Sequence, residues 1–250
     1  MKRTIRIGAI CALGGLLAAC GGDDGTAEPV AGQPPQGTTT YEPGTPVVGA
    51  TDVFRITDVD DSNNTIVIGF TQTVQSVSGP HSYVLTQVDP SNNAAIVNGV
   101  DYHFNAATIT FDQEQETSVS DTSETGTVQN CSDTPQSGGH PSPWWVGQSF
   151  TRSTQESCTP GDVRTIDDIG TVAALEQVTV PAGTFTALKL QTTETWSENG
   201  QNVTEQVTHW VDPSRWFFSI KTTIVFTRSG NVPAHYVASQ TIELQSRTGG

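Results

Sequence analysis

The sequence predicts an all-β fold, an antiparallel meander shaped as a curved sheet, a half-barrel or a sandwich. Residues 215–228 and 234–247 alternate apolar and polar side chains and are rich in Val, Ile, Thr and aromatic residues, which is the pattern of half-buried strands. No window after residue 20 shows a sustained helical period. Long strands joined by short turns favour antiparallel pairing with one buried face.

The clearest strands each have one apolar face. The predicted core positions are Trp216, Phe218, Ile220, Ile224 and Phe226 in the first segment, Tyr236, Ala238, Ile242 and Leu244 in the second, and Val203, Val207 and Val211 in 202–212. Between strands, VTVPAGTF (178–185) predicts a tight hairpin, because proline presets φ and Gly183 supplies a left-handed residue that closes the turn with a bulge.

The chain begins like an exported protein. Residues 1–19 combine a basic start with about a dozen apolar and small residues, too few for a helix across a bilayer of roughly 30 Å but typical of a signal peptide. The sequence LAAC that ends at Cys20 resembles the lipobox of bacterial lipoproteins. The resemblance implies cleavage before Cys20 and acylation of that residue, and Gly21 favours the outer over the inner membrane.

Three regions follow from composition. Residues 1–19 form the signal peptide, and residues 20–50 form a lipidated start and a flexible tether, since this stretch is rich in Gly, Pro and Thr and has little apolar surface to bury. Residues 51–250 suit a single β domain, with a subdivision near 118–130 as the alternative.

Two cysteines remain in the predicted folded domain, Cys131 and Cys158. In an oxidising compartment such a pair favours a disulfide, worth roughly 3–4 kcal/mol in the chain-entropy model. A metal site is disfavoured because neither cysteine lies in a CxxC or CxxH motif.

The chain after Cys20 keeps all 26 acidic but only 8 of the 11 basic residues, a net charge of −18. This charge argues against nucleic acid as a partner. Nucleophile-elbow, HExxH, P-loop and dinucleotide-binding motifs do not occur in the sequence, so we predict neither an enzyme nor a bound cofactor or metal.

The run ALEQVTVPAGTFTALKL (174–190), preceded by SPWWVGQSF (142–150) and followed by VTHWVDPSRWFFSIKTT (207–223), resembles an element of uncharacterised lipobox-containing periplasmic and outer-membrane lipoproteins with a β-rich domain. The chain departs from that pattern at residues 212–215, where the family usually has a glycine-containing turn. The resemblance implies a fold and no particular chemistry.

These observations favour a cell-envelope lipoprotein, held at the membrane by its lipid, that binds an apolar small molecule or an envelope protein. The predicted lining residues are Trp144, Trp145, Phe150, Trp196, Trp210 and Trp216. The alternative is a carbohydrate or peptidoglycan module with an exposed Trp144 or Trp145. An envelope hydrolase is less favoured, because the sequence offers no nucleophile–base arrangement.

Overall fold

The fold is described from a computed structural model. It describes residues 33–42, 44–79, 82–88, 96–97, 100–101, 107–112, 115–122, 128–138, 143–159, 163–198, 200–215, 219–232 and 236–249. The predicted signal peptide, Cys20 and Trp216 lie outside the described residues. Within those residues, no helix has the length and apolarity that a membrane span requires.

The described residues contain fourteen strands and no helix. Their bounds are β1 Thr51–Asp60, β2 Thr65–Gly79, β3 Ser82–Val88, β4 Ile96–Val97, β5 Val100–Asp101, β6 Ala107–Asp112, β7 Gln115–Thr122, β8 Val128–Gly138, β9 Ser149–Thr159, β10 Val163–Val180, β11 Gly183–Glu198, β12 Gln201–Val211, β13 Ser219–Gly230 and β14 Val237–Thr248.

The predicted all-β antiparallel meander is confirmed. Twelve strands follow one another in a single sheet, and β4 and β5 form a separate two-stranded pair. The first strand, β1, pairs with both β2 and β14, so the strand order closes on itself. Strands β7 and β8, which precede and follow 123–127, pair with each other in this same sheet, so the described residues on the two sides of that segment belong to one sheet.

Alternation along the strands gives the sheet an inner face with buried side chains and an outer face. A first core cluster joins the two ends of the chain, and it includes stacked rings of Phe54 and Phe70 with centroids 4.9 Å apart. Its buried members are Phe54, Ile56, Ile66, Ile68, Phe70, Val180, Ala187, Ile220, Val237, Ile242 and Leu244.

The predicted hairpin joins β10 and β11 through Pro181 and Ala182, with Gly183 at φ +136°. The register shift lies farther down the hairpin, between Val172 and Ala174, and not at the turn, where we expected a bulge. The tip packs on the first cluster, and the amide of Ala182 donates a hydrogen bond to the carbonyl of Leu244 at 3.2 Å.

The predicted tether is partly ordered, which corrects the expectation for 20–50. Tyr41 forms a β-bridge with Trp144, with N–H···O distances of 2.8 and 2.9 Å. Its ring packs against a second core cluster of Trp144, Val172, Leu188, Leu190 and Val211. The aromatic ring at position 41 supplies the apolar contact that the composition of the segment as a whole lacks.

Candidate functional site: a row of carboxyls on the inner face

Three acidic residues lie side by side on the inner face of β10, β11 and β12. Asp168 is directly opposite Glu194, and Glu194 is directly opposite Glu205. They follow the buried positions of their strands at a spacing of two, such as Leu190 on β11 and Val203 on β12. We call Asp168, Glu194 and Glu205 the carboxyl row.

This arrangement is costly for folding, because like charges opposite each other on neighbouring strands repel and buried carboxylates lose hydration. Burial, and then the charge of Glu194, raise the pKa of Asp168 to about 7, although Arg152 lowers it. Burial, and then Glu194, raise the pKa of Glu205 to about 8 against the opposing effect of Arg164 and Arg228. Burial also raises the pKa of Glu194.

Three guanidinium groups lie beside the row. One pairs with a member of the row, and the other two contact side chains outside it. Arg152 pairs with Asp168 at 3.3 Å. Arg164 pairs with Glu156 at 3.0 Å and with Glu198 at 3.1 Å. The described structure shows no ion pair or hydrogen bond from the carboxyl groups of Glu194 and Glu205, and both residues are only half-buried. These two carboxyls therefore keep accessible surface on the inner face.

Arg228 is held beside aromatic rings. Its guanidinium carbon lies 5.6 Å from the ring centre of Phe226 and 5.5 Å from that of Tyr236, and its Nη1 donates to Gln201 Oε1 at 3.4 Å. Cation–π contacts of this kind orient a guanidinium without neutralising it. Arg228 thus moderates the field at Glu205 from a distance.

Polar groups beside Glu194 also lack partners. Thr192 and Trp196 flank Glu194 on the same face of β11, two residues away on either side. Within the part of the chain that the structure describes, the buried Thr192 Oγ1 and Trp196 Nε1 have no hydrogen-bond partner. Buried polar atoms are nearly always satisfied, so the surroundings of Glu194 suit a polar molecule.

The predicted lining residues do not form one surface. Trp144 and Trp145 are buried at 1% and 7% exposure, so neither provides the exposed ring that the carbohydrate alternative requires. Trp144 lies in the bridge with Tyr41, and Trp145 begins a tight turn around Gly147 (φ +94°), in which the amide of Gln148 donates to the carbonyl of Trp145 at 3.1 Å.

The other predicted lining residues that the structure describes lie at different places in the fold. Phe150 is buried with its ring centre 6.3 Å from that of Trp144. Trp196 is at the carboxyl row, under the guanidinium of Arg164 at 5.1 Å. Trp210 lies elsewhere, and its Nε1 donates to Glu176 Oε1 at 2.7 Å. Of the five predicted lining residues that the structure describes, only Trp196 contributes to the candidate site.

The two cysteines are also on the inner face, directly opposite each other on β8 and β9. Both are buried thiols in the structure and are not joined by the predicted disulfide. With Glu156 they form the one described group of three whose potential metal-ligating atoms lie within 4.8 Å of one another. Because the carboxylate of Glu156 already accepts from Cys158 Sγ at 3.2 Å and pairs with Arg164, this group does not favour a metal.

A shallow cleft of about 540 Å³ lies over the same strands and is lined mostly by outer-face residues such as Thr165, Asp167, Ser197 and Asn202. These side chains are exposed, so water screens their charges and dipoles. The inner carboxyl row is the better candidate, because water screens its partly buried carboxyls less than the exposed groups of the cleft.

Comparison with known proteins finds only solved structures of low sequence identity. No protein-family model and no curated protein matches the chain. A crystal structure of a candidate lipoprotein from Parabacteroides distasonis has a TM-score of 0.49 and 16% identity, over 85% of this chain and 100% of that one. A candidate exported protein with a YmcC-like fold, from Bacteroides fragilis, has a TM-score of 0.45 and 10% identity, over 84% and 99%.

Proposed function

We propose that this protein is a lipid-anchored protein of the bacterial cell envelope whose β domain binds a small polar ligand at the carboxyl row. The anchor is supported by the signal-peptide pattern of residues 1–19 and by the lipobox that ends at Cys20. Gly21 favours the outer membrane as its destination. We propose binding and not catalysis, since the sequence carries no recognised catalytic motif.

The observation that carries the binding proposal is the cross-strand pair of Glu194 and Glu205. Groups whose environment opposes their ionisation cluster at functional sites, and a sequence breaks local stability rules mainly where function requires it. The ligand we first expected was apolar, but many of the described apolar side chains of the inner face pack against one another in two clusters. The polar part of the inner face is therefore the better binding surface.

Chemical labelling tests whether the row is reachable. A water-soluble carbodiimide with glycine ethyl ester converts accessible carboxyls to amides, which mass spectrometry locates. We expect labelling of Glu194 or Glu205 in the folded protein at pH 6.5, where protonation aids the reaction. Labelling of the exposed Glu176 alone, with both inner glutamates protected until the protein unfolds, would show that no solute reaches the row and would end the binding proposal.

The anchor is tested separately. The Cys20→Ala variant should lose incorporation of radiolabelled palmitate and leave the membrane fraction, because acylation at this residue supplies the chains that stable anchoring needs. Cys11→Ala is the matched control, since Cys11 lies within the predicted signal peptide. Continued labelling of the Cys20 variant contradicts the anchor.

A further inference from the structure

We propose that the carboxyl row binds an organic cation, a small molecule whose ammonium groups lie against Glu194 and Glu205. This inference rests on the proposed function and names the chemical class of its ligand. It depends on three features of the site: its charge, the hydrogen-bonding groups beside Glu194, and the spacing of its oxygen atoms.

The charge of the row is only partly compensated. Arg152 pairs with Asp168, while Arg164 is committed to Glu156 and Glu198. Glu194 and Glu205 face each other, and among the described side chains no cation lies within ion-pair distance of either, although Arg152, Arg164 and Arg228 act on them from farther away. A bound ammonium group would supply the missing positive charge, and charge-assisted hydrogen bonds between ammonium and carboxylate are among the stronger polar contacts in proteins.

The neighbours of Glu194 on β11 suit such a ligand. Thr192 is 5% exposed, and its buried Oγ1 has no hydrogen-bond partner among the described residues, which leaves a hydroxyl acceptor next to Glu194 unsatisfied. On the other side of Glu194, Trp196 is half-buried and offers an aromatic surface for the carbon chain that joins two amines. The site thus combines carboxyls, a hydroxyl acceptor and an aromatic wall.

A bare metal ion fits less well. Calcium needs several oxygens at roughly 2.3–2.6 Å from one centre, and magnesium at about 2.0–2.1 Å. Among the described residues, the one group with three potential ligand atoms within 4.8 Å is Cys131, Glu156 and Cys158, so the oxygens of the carboxyl row do not converge around a point. Separate ammonium groups on one molecule do not require that convergence.

Isothermal titration calorimetry of the full chain with spermidine tests the inference, with MgCl₂ and a neutral trisaccharide as comparison ligands. We expect saturable spermidine binding that the double variant Glu194→Gln/Glu205→Gln weakens by roughly tenfold or more. The matched control, Asp167→Asn/Glu176→Gln, loses the same charge from the outer face and should change the affinity less than roughly twofold. Circular dichroism confirms that each variant is folded.

Proton release provides a second readout. Asp168 and Glu205 are partly protonated near neutral pH because burial raises their pKa values to about 7 and about 8, and burial also raises the pKa of Glu194. A bound cation favours their ionised forms, so protons should leave on binding at pH 7. The measured heat should therefore depend on the ionisation enthalpy of the buffer. Arg152, Arg164 and Arg228 are the charged groups that act on the row from β9, β10 and β13.

Three outcomes would overturn the inference: no spermidine binding, equal weakening by the inner and outer variants, or tight Mg²⁺ binding at the row. The second outcome would mean that the net negative charge alone attracts the cation. If the trisaccharide binds and spermidine does not, a polar ligand site exists but the cation class is wrong. Protection of Glu194 and Glu205 from carbodiimide would instead remove the site itself.

Discussion

Glu194 on β11 and Glu205 on β12 lie directly opposite each other on the inner face of the sheet. Like charges in this position destabilise a strand pair, and here burial adds a cost that raises the pKa of Glu205 to about 8 and that of the adjacent Asp168 to about 7. The pair therefore lowers the free energy of unfolding whenever both groups ionise. Its effect can be measured as a dependence of that free energy on pH.

Stability should fall as the pH rises from 6.5 to 8.5. In this range the folded protein holds protons on Glu205 and Asp168 that the unfolded chain has already released, so the free energy of unfolding decreases with pH. Urea unfolding at pH 6.5, 7.5 and 8.5 measures the slope. Glu205→Gln should flatten this slope and stabilise the protein at pH 8.5, whereas the outer-face control Glu176→Gln should leave it unchanged. A wild-type free energy that stays level or rises with pH contradicts the buried pair.

His209 contributes a slope of the opposite sign in acid. This residue is buried on β12, and desolvation lowers its pKa to about 4. Its Nδ1 lies 3.0 Å from Thr222 Oγ1. Since the unfolded histidine takes up a proton near pH 6.5, the contribution of His209 to stability is lost as the pH falls from 6.5 towards 4. The carboxyls of Asp168 and Glu205 contribute with the opposite sign over the same range, so the effect of His209 is measured as the difference between the wild type and a His209 variant.

NMR titration of His209 in the folded protein checks this prediction directly. The ring should remain neutral down to about pH 5, and the His209→Gln variant should gain unfolding free energy relative to the wild type as the pH falls from 6.5 to 4.5. A His209 that titrates near pH 6.5 would show that the side chain is hydrated.

The buried charges of Arg247, Asp52 and Asp212 are balanced by ion pairs. Removal of one partner should therefore strongly lower the free energy of unfolding. Arg247 donates to Asp52 at 2.8 Å and to Asp212 at 2.8 Å, and Arg215 lies 3.6 Å from Asp52. Arg247→Ala leaves two buried carboxylates with one guanidinium, which should cost roughly 3–5 kcal/mol.

The exposed pair of Arg55 and Glu243, at 2.8 Å, is the matched control for Arg247. Arg55→Ala should cost less than about 1 kcal/mol, because water screens exposed ion pairs. Chemical unfolding of the two variants measures the difference. Equal costs would mean that the inner network is hydrated.

How far the sequence predicts this molecule depends on the scale considered. Alternation with a period of two is a local property, and it was enough for the strands and for the hairpin turn at Pro181. The carboxyl row depends on register. The pairing near the turn, extended without the shift between Val172 and Ala174, would place Asp168 opposite Thr195 instead of Glu194. The sequence does not reveal where that bulge lies, although acidic residues at apolar positions of three strands were a visible signal.

The burial of Trp144 and Trp145 is likewise not predictable from the local sequence. Adjacent tryptophans on a regular strand would expose one ring, but burial of both depends on Tyr41, which pairs with Trp144 from a distant part of the chain. Composition predicted that this N-terminal segment is unattached. One long-range contact between aromatic residues is invisible to patterns that are read over short windows.

The thiols of Cys131 and Cys158 should oxidise to a disulfide in an oxidising compartment, because they occupy directly opposite positions on β8 and β9. Denatured, unreduced protein from the envelope fraction should show no thiol from this pair in a thiol-specific assay, and reduction should reveal two. Loss of the bond should cost roughly 3–4 kcal/mol, with Cys131→Ala/Cys158→Ala as the reference. Two thiols without reduction would refute the bond.

Gly170 on β10 lies beside the ring of Phe150, and a Cβ there would be 2.2 Å from the nearest ring atom. Gly170 is opposite Phe150 in the register of β9 and β10, and the ring is buried, so it has little room to move away. Gly170→Ala should therefore destabilise the protein by about 1–3 kcal/mol through overpacking.

The double variant Gly170→Ala/Phe150→Leu removes the clash, so it should be less destabilised than the sum of the two single variants. Thermal and urea unfolding of the four proteins complete this cycle. Additive losses would show that Phe150 rotates away from Gly170 at no cost, and that the glycine is required by the backbone and not by the ring.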